Sequence, residues 1–393
     1  MEAQPTRPLA GLRVLSLAEQ YPGPYAALLL GDLGADVVQV ERPTGGDPAR
    51  RFPGLHAALN RGKRSVCLDL KRPEGAEACR QLAAASDVLL EGFRPGVMDR
   101  LGLSATTLAA TNPGLVYVSV SGFGQTGPYA QRPVHDLSLQ ALVGTLGARP
   151  ADPDELPHLS LADVAAGLFT ALAALTGIAG RVSTGRGGHY DVGMFDSLVS
   201  LLTTALVPAA NGEAAEQVGL DPGYGVFATS DGRWVSLSIA FEDHFWRALC
   251  AAVELGRHAH LDAAVRRARR DDLRTELADQ LGRHPLEHWE HALGQAGVPF
   301  GALNDLPRLL ADPHLRARGL LQEIQAPGGP HCYVRQPLVV NGTAPGPIRG
   351  TATLGAHTSQ VLSSAGLPDA EIAHLLTLGV ARQADAELGG VPA

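Results

Sequence analysis

At 393 residues the chain is long enough for two or three domains of ~150 residues each, with a sizeable core. Gly 46 and Pro 28 together stay below the roughly 25–30 per cent of low-complexity chains, so a folded protein is expected. The formal net charge is −8 with no basic tail or stripe, which argues against nucleic acid or an anionic membrane as the main partner. Cys67, Cys79, Cys250 and Cys332 show no CxxC or CxC spacing. Neither a zinc site nor a disulfide framework is expected, and a cytoplasmic setting follows. The first residues, MEAQPTRPLAGLRVLSL, lack the basic and apolar regions of a signal peptide.

In chain order, the first 200 or so residues alternate strand and helix signals. LRVLSL (12–17), DVVQVE (36–41), SVCLDL (65–70), DVLLEGF (87–93) and LVYVSVSGFG (115–124) are short apolar runs bounded by turn residues. A helix is expected from the Pro22-Gly23-Pro24 turn to residue 33, and another over 74–85. Residues 164–180 carry no charge but fall short of the ~20 needed to span a bilayer, so they are read as a buried helix. Strands spaced by helices predict an α/β fold with a mostly parallel sheet, whose ligands bind beyond the carboxyl ends of the strands. Residues 224–239 read as a hairpin turning at Ser230-Asp231-Gly232. Helices are expected over 242–255 and 262–281, a strand over 334–342, and a helical end from residue 358. This divides the chain into a large domain (1–218), a small α+β domain (219–305) and a C-terminal segment (306–393) returning to the large one.

Three groups of residues carry chemistry. Gly122, Gly124 and Gly127 follow a late strand, with Pro128 behind them and no strand-ending acid downstream. That is a poor dinucleotide fingerprint but a good mobile loop, able to approach a ligand closely. Arg42, Arg61, Lys63, Arg64 and Arg94 fall at or near strand ends, where converging cations suit a polyanionic small ligand; a solvated edge is the plain alternative. Ser160-Leu-Ala-Asp163 opens the apolar helix as a capping box, with Ser160 as N-cap and Asp163 reaching back. A carboxylate in the first turn feels the positive end of the helix dipole and is expected to stay ionised, as a nucleophile or base requires. His135 precedes Asp136, which reads as the cap of the following helix.

These motifs resemble the family III coenzyme A-transferases, the CaiB/BaiF type, a superfamily that includes the α-methylacyl-CoA racemases. The resemblance runs through RVLSLAEQYPGPYAALLLGDLGADVVQVERP, NRGKRSVCLDLKRPEG, LLEGFRPGVMDRLGL, NPGLVYVSVSGFGQTGP, LADVAAG and TGRGGHYDVGMFDSL, and continues in VPFGALNDLPRLLADPHLRARGL and LGAHTSQVLSSAGL. It implies a Rossmann-like large domain, a small domain and an interlocked homodimer. It implies that Asp163 is the catalytic carboxylate and that Arg42, Arg61, Lys63, Arg64 and Arg94 contact coenzyme A. The substrates it implies are an acyl-CoA and a carboxylic acid, with no metal and no tightly bound cofactor.

His135 and the Pro-Gly-Pro turn resemble the racemase branch, in which that histidine pairs with the same aspartate; GGDPAR, AGVPFGALND and AFEDHFW resemble the transferases. Glu242 matches a racemase supporting glutamate less well by its spacing. Transfer through an aspartyl anhydride and an aspartyl-CoA thioester is the favoured reading, with the 122–127 loop as oxyanion donor. Proton exchange between His135 and Asp163 is the alternative, and a CoA-binding paralogue without turnover the third.

Overall fold

The apolar runs of the first half assemble into one sheet because each strand buries both faces. A computed structural model describes residues 7–147, 159–213, 220–326, 329–344 and 349–384. Six parallel strands are β1 (Arg13–Ser16), β2 (Asp36–Glu41), β3 (Arg64–Leu68), β4 (Val88–Glu91), β5 (Val116–Ser121) and β6 (Gly188–Gly193). They lie in the order β3-β2-β1-β4-β5-β6, the doubly wound arrangement in which connections leave β1 in opposite directions. β6 was not anticipated, since GHYDVG alternates polar and apolar residues without an apolar run. A short strand, Ala381–Arg382, pairs antiparallel with β3 and closes that edge.

Helices cover both faces, as expected. On one face Ala78, Cys79, Leu82 and Ala83 of the helix Pro73–Ala84 pack with Val361 and Leu375 from the C-terminal helices. On the other, the helices Pro22–Asp32 and Leu161–Thr184 bury Ala26, Leu30, Ala162, Ala166 and Ala174 against Val14, Val88, Val116 and Val118. Pro22 and Pro73 open their helices, where a missing N–H costs nothing. The helix Leu161–Thr184 is long and apolar enough to cross a membrane by length and composition. It is not buried all round: Leu168 and Leu172, one turn apart, are 50 and 55 % exposed.

The chain divides into one compact unit made of Met1–Thr204 with Gly319–Ala393, and a second, Ala205–Arg318. The limits 219–305 proposed for the small domain fall inside the second unit, with Gly219 itself outside the described residues. That unit holds an antiparallel sheet of β7 (Tyr224–Ala228), β8 (Trp234–Ser238) and β9 (Phe300–Ala302). The predicted turn joins β7 to β8, with Ala228 opposite Trp234 and Gly232 at a φ of +72°. Helices pack Trp246, Leu249, Leu273, Leu277 and Trp289 behind it. The stretch expected as one helix over 262–281 is two, Ala263–Ala268 and Arg270–Leu281, broken at Arg269.

Two C-terminal expectations need correction. The strand expected over 334–342 ends where it was to begin: β10 (Leu321–Ala326) pairs with β11 (Gly329–Val334). Beyond Val334 the buried side chains of Arg335 and Gln336 turn inward to carbonyls of Gly319 and Leu29, and Pro337 supplies no ladder N–H. The helical end expected from residue 358 is, among the described residues, two helices, Thr358–Ser364 and Asp369–Thr377, followed by the strand Ala381–Arg382.

Candidate active site

The strand order reverses between β1 and β4, and the loops leaving β1, β4 and β5 splay apart there. They surround a cavity of about 270 Å³ whose wall includes Gln20, Gly23, Arg94, Gly122, Arg132 and His135. Backbone closeness shapes it. A side chain on Gly23 would place its Cβ 2.1 Å from Ala18 Cβ, and one on Gly122 would meet Val134 Cγ1 at 2.4 Å. Gln20 holds a left-handed φ of +69°, a conformation non-glycine residues adopt only when tied down. The tie is the buried Asp47 carboxylate, which accepts the Gln20 N–H at 3.1 and 3.2 Å.

The glycine loop is anchored from beneath. Gly124 and Gly127 have φ of +77° and +95°, and the Gln125 N–H donates to Asp191 Oδ2 at 2.9 Å. Asp191 lies on β6, the strand the sequence reading missed. Of the three glycines only Gly122 lines the cavity, and the Gln125 N–H is already committed to Asp191. The loop therefore offers fewer free donors to an oxyanion than expected.

The capping box did not form as written. Ser160 makes no side-chain cap bond at the start of Leu161–Thr184. Asp136 does that work instead: its Oδ1 accepts from the N–H groups of Ala162 (2.7 Å) and Asp163 (3.3 Å), and its Oδ2 from Gln140 Nε2 (2.6 Å). Asp136 is itself the first residue of the helix Asp136–Val143, with exposed His135 as N-cap, so one carboxylate ties two helix starts together. A cap of this kind is worth ~1 kcal/mol.

Asp163, released from capping, is half-buried beside Asp136. Burial first, then the Asp136 charge, raises its pKa to about 7. This corrects the expectation of a fully ionised group: desolvation and a like charge outweigh the helix dipole. Both carboxylates also help raise the pKa of Tyr21, behind the larger effect of that phenol's own burial. Tyr21 sits between the cavity-lining residues Gln20 and Pro22, and Asp136 follows the cavity-lining His135; Asp136 and Asp163 themselves do not line the cavity.

The five cations do not gather on one edge. Arg42 and Arg94 follow β2 and β4 at the carboxyl ends, Arg42 donating to Gly46 O at 2.8 Å and facing Glu19 at 3.8 Å. Arg61 and Arg64 flank the amino end of β3. Arg61 is buried and bidentate to Asp32, with a third bond to Val334 O. Arg64 is bidentate to Asp36. Lys63, 5 % exposed, donates to Pro24 O and Asn60 Oδ1 at 2.8 Å, and burial lowers its pKa to about 7. The sequence displays these charges but not their partners, which lie a helix away. Glu242 belongs to the second unit, where its carboxylate accepts the N–H groups of Ala240 and Phe241. Among the described residues no group of three or more His, Cys, Asp or Glu side chains could hold a metal.

The profile of CoA-transferase family III matches residues 9–358. The chain belongs to CoA-transferase family III. This CoA-transferase is 35% identical over 350 residues to the acetyl-CoA:oxalate CoA-transferase of Acetobacter aceti, covering 84% of this chain and 90% of that one. It is 36% identical over 346 residues to the succinyl-CoA–L-malate CoA-transferase alpha subunit of Chloroflexus aurantiacus, covering 82% of this chain and 80% of that one. Among solved structures, a CAIB/BAIF family protein from Brucella suis matches with a TM-score of 0.79 at 30% identity, over 92% of this chain and all of that one. The sequence reading of this transferase missed Tyr21, Arg132 and Asp191: Tyr21 and Asp191 meet groups distant in the chain, and Arg132 stands out only by lining the cavity.

Proposed function

We propose that this CoA-transferase moves coenzyme A from an acyl-CoA to a free carboxylic acid, with Asp163 as the nucleophile. The observation that carries the reading is the Asp163 carboxyl, half-buried at a helix start beside the switch-point cavity, in a chain alignable over most of its length with named transferases. A carboxylate oxygen of Asp163 attacks the thioester carbonyl, the C–S bond breaks, and CoA thiolate leaves a mixed anhydride. The thiolate then attacks the Asp163 carbonyl carbon, forming an aspartyl-CoA thioester and releasing the donor acid. The acceptor carboxylate attacks that thioester, expelling thiolate and giving a second anhydride. Attack of the thiolate on the acceptor's acyl carbon yields the new acyl-CoA and restores Asp163. No water is consumed, so excluding it protects both anhydrides.

Arg42 and Arg94, at the carboxyl ends, suit the phosphates of coenzyme A. Arg61 and Lys63 are engaged with the first helix and Arg64 with β2, and they support the reading as the frame around the site. The apolar face of Leu168 and Leu172, with exposed Leu137 and Leu142 on the neighbouring helix, supports a homodimer. A cytoplasmic location agrees with free cysteines, three of them buried.

The test is mass spectrometry after incubation with acyl-CoA and borohydride in heavy water. An alcohol at Asp163 with no deuterium at the α-carbon is the expected result. Deuterium uptake with unmodified Asp163, abolished by His135→Ala, would replace transfer by racemisation.

A further inference from the structure

Arg132 lines the switch-point cavity with His135 and Gly122, and among the described residues no carboxylate pairs with it. Elsewhere around the sheet Arg50, Arg61 and Arg64 are bidentate to Glu41, Asp32 and Asp36, and on the cavity wall Arg94 is the other arginine without a carboxylate partner among the described residues. The one acid on the cavity wall, Glu19, faces Arg42. The Arg132 guanidinium is nevertheless held in place. It stacks 5.4 Å from the Tyr129 ring centre, Tyr129 packs edge-on against Phe123 of the glycine loop at 5.4 Å, and Phe123 lies 5.9 Å from Phe195. The backbone is pinned as well, by Arg132 N–H to Tyr129 O (2.8 Å) and Gln131 Nε2 to Pro95 O (3.2 Å). A cation that is preorganised, solvent-accessible and unpaired in a small cavity is arranged for an anionic ligand, since little side-chain freedom is lost on binding.

We propose that Arg132 binds the acceptor acid, gripping a second carboxylate while the first reaches Asp163, and so selects short dicarboxylic acids. This rests on the reading above that Asp163 passes coenzyme A to a carboxylic acid. The planar guanidinium matches a carboxylate with two parallel hydrogen bonds. A cavity of about 270 Å³ is of a size to hold a short acid. Arg94 is the less suited cation, because it also borders a second cavity, of about 120 Å³, beside Glu91 and Ser119.

The experiment uses the full chain, acetyl-CoA as a donor that carries no second carboxylate, and glutarate against valerate as acceptors of matched length. The wild type is expected to prefer glutarate. Arg132→Ala should raise the KM for glutarate roughly 10–100-fold, the worth of a charged hydrogen-bonded contact, with kcat, the donor KM and valerate turnover little changed. Arg132→Lys should recover part of the loss while keeping the charge. A rise in the donor KM instead would assign Arg132 to coenzyme A and overturn the proposal, as would equal use of the two acids by the wild type. If the wild type forms the Asp163 adduct but Arg132→Ala leaves glutarate discrimination intact, the Arg132 assignment alone falls. A wild type that forms no adduct overturns the transfer reading and this inference with it.

Discussion

Asp163 is placed where reactivity and stability pull in opposite directions. Its pKa, raised to about 7 by burial and then by Asp136, leaves it part ionised at neutral pH, and the nucleophile is the carboxylate. In the proposed mechanism kcat/KM for the acyl donor rises with pH through a midpoint near 7 in the free enzyme. Asp136→Asn keeps an oxygen for the Ala162 and Asp163 N–H groups and removes the like charge, so the acid limb should move to lower pH. An unmoved limb in the pH–rate profile would mean that Asp136 does not act on Asp163 electrostatically. The folded state holds this proton more tightly than the unfolded chain. The resulting cost to stability is absent below the usual carboxylate range, grows as pH rises, and is complete above about 7. Asp163→Asn should therefore lose at least ~10³-fold in kcat. At pH 8 it should also gain on the order of 1–2 kcal/mol in stability, read as a higher Tm. Near-wild-type turnover would remove Asp163 from the mechanism.

Among the elements, the pair of helices Pro22–Asp32 and Leu161–Thr184 decides where the site residues stand. They touch at Gly167, where a Cβ would lie 2.7 Å from Tyr25 Cδ1 and 3.0 Å from Pro22 O. Gly167 follows Asp163 by one turn, and Pro22 follows Tyr21, so spacing these helices apart displaces both sides of the site. Gly167→Ala is expected to destabilise the fold by roughly 1–3 kcal/mol, the usual cost of overpacking, and to lower kcat as well. Denaturant titration with parallel kinetics checks both; an unchanged midpoint would show that the contact yields freely. The apolar pattern of the long helix was legible in the sequence, but the point where it meets the first helix was not. Among the four glycines in and around that pattern, only the partner helix distinguishes Gly167.

For the whole molecule, the long helix turns the apolar side chains of Leu168 and Leu172 outward. A monomer would leave Leu168 and Leu172 half in water, as well as Leu137 and Leu142 of the helix Asp136–Val143 that packs against the long one, large apolar side chains that an interface would bury. The proposed homodimer covers them. Light scattering should give about twice the chain mass at micromolar concentration. The double variant Leu168→Glu with Leu172→Glu should shift it to monomer, since burying two carboxylates in an apolar interface is strongly unfavourable. A wild-type monomer with full activity would refute the dimer.

The parallel sheet, its flanking helices, the hairpin at Gly232 and the start of the long helix at Leu161 could be read from the chain alone. They depend on local periodicity and turn chemistry, which neighbouring residues express. Family membership was legible for a related reason: many ordered motifs constrain a chain more than any one of them. Only the tertiary structure decided which carboxylate caps the long helix, where β6 adds to the sheet, and which cations remain free. Asp136 reaches Ala162 across a connection, Arg61 finds Asp32 at the far end of a helix, and Asp191 meets the glycine loop only because β6 lies beside β5. Charge pairing and desolvation act through space, so a residue's partner and its pKa follow from the packing of the chain rather than from its order.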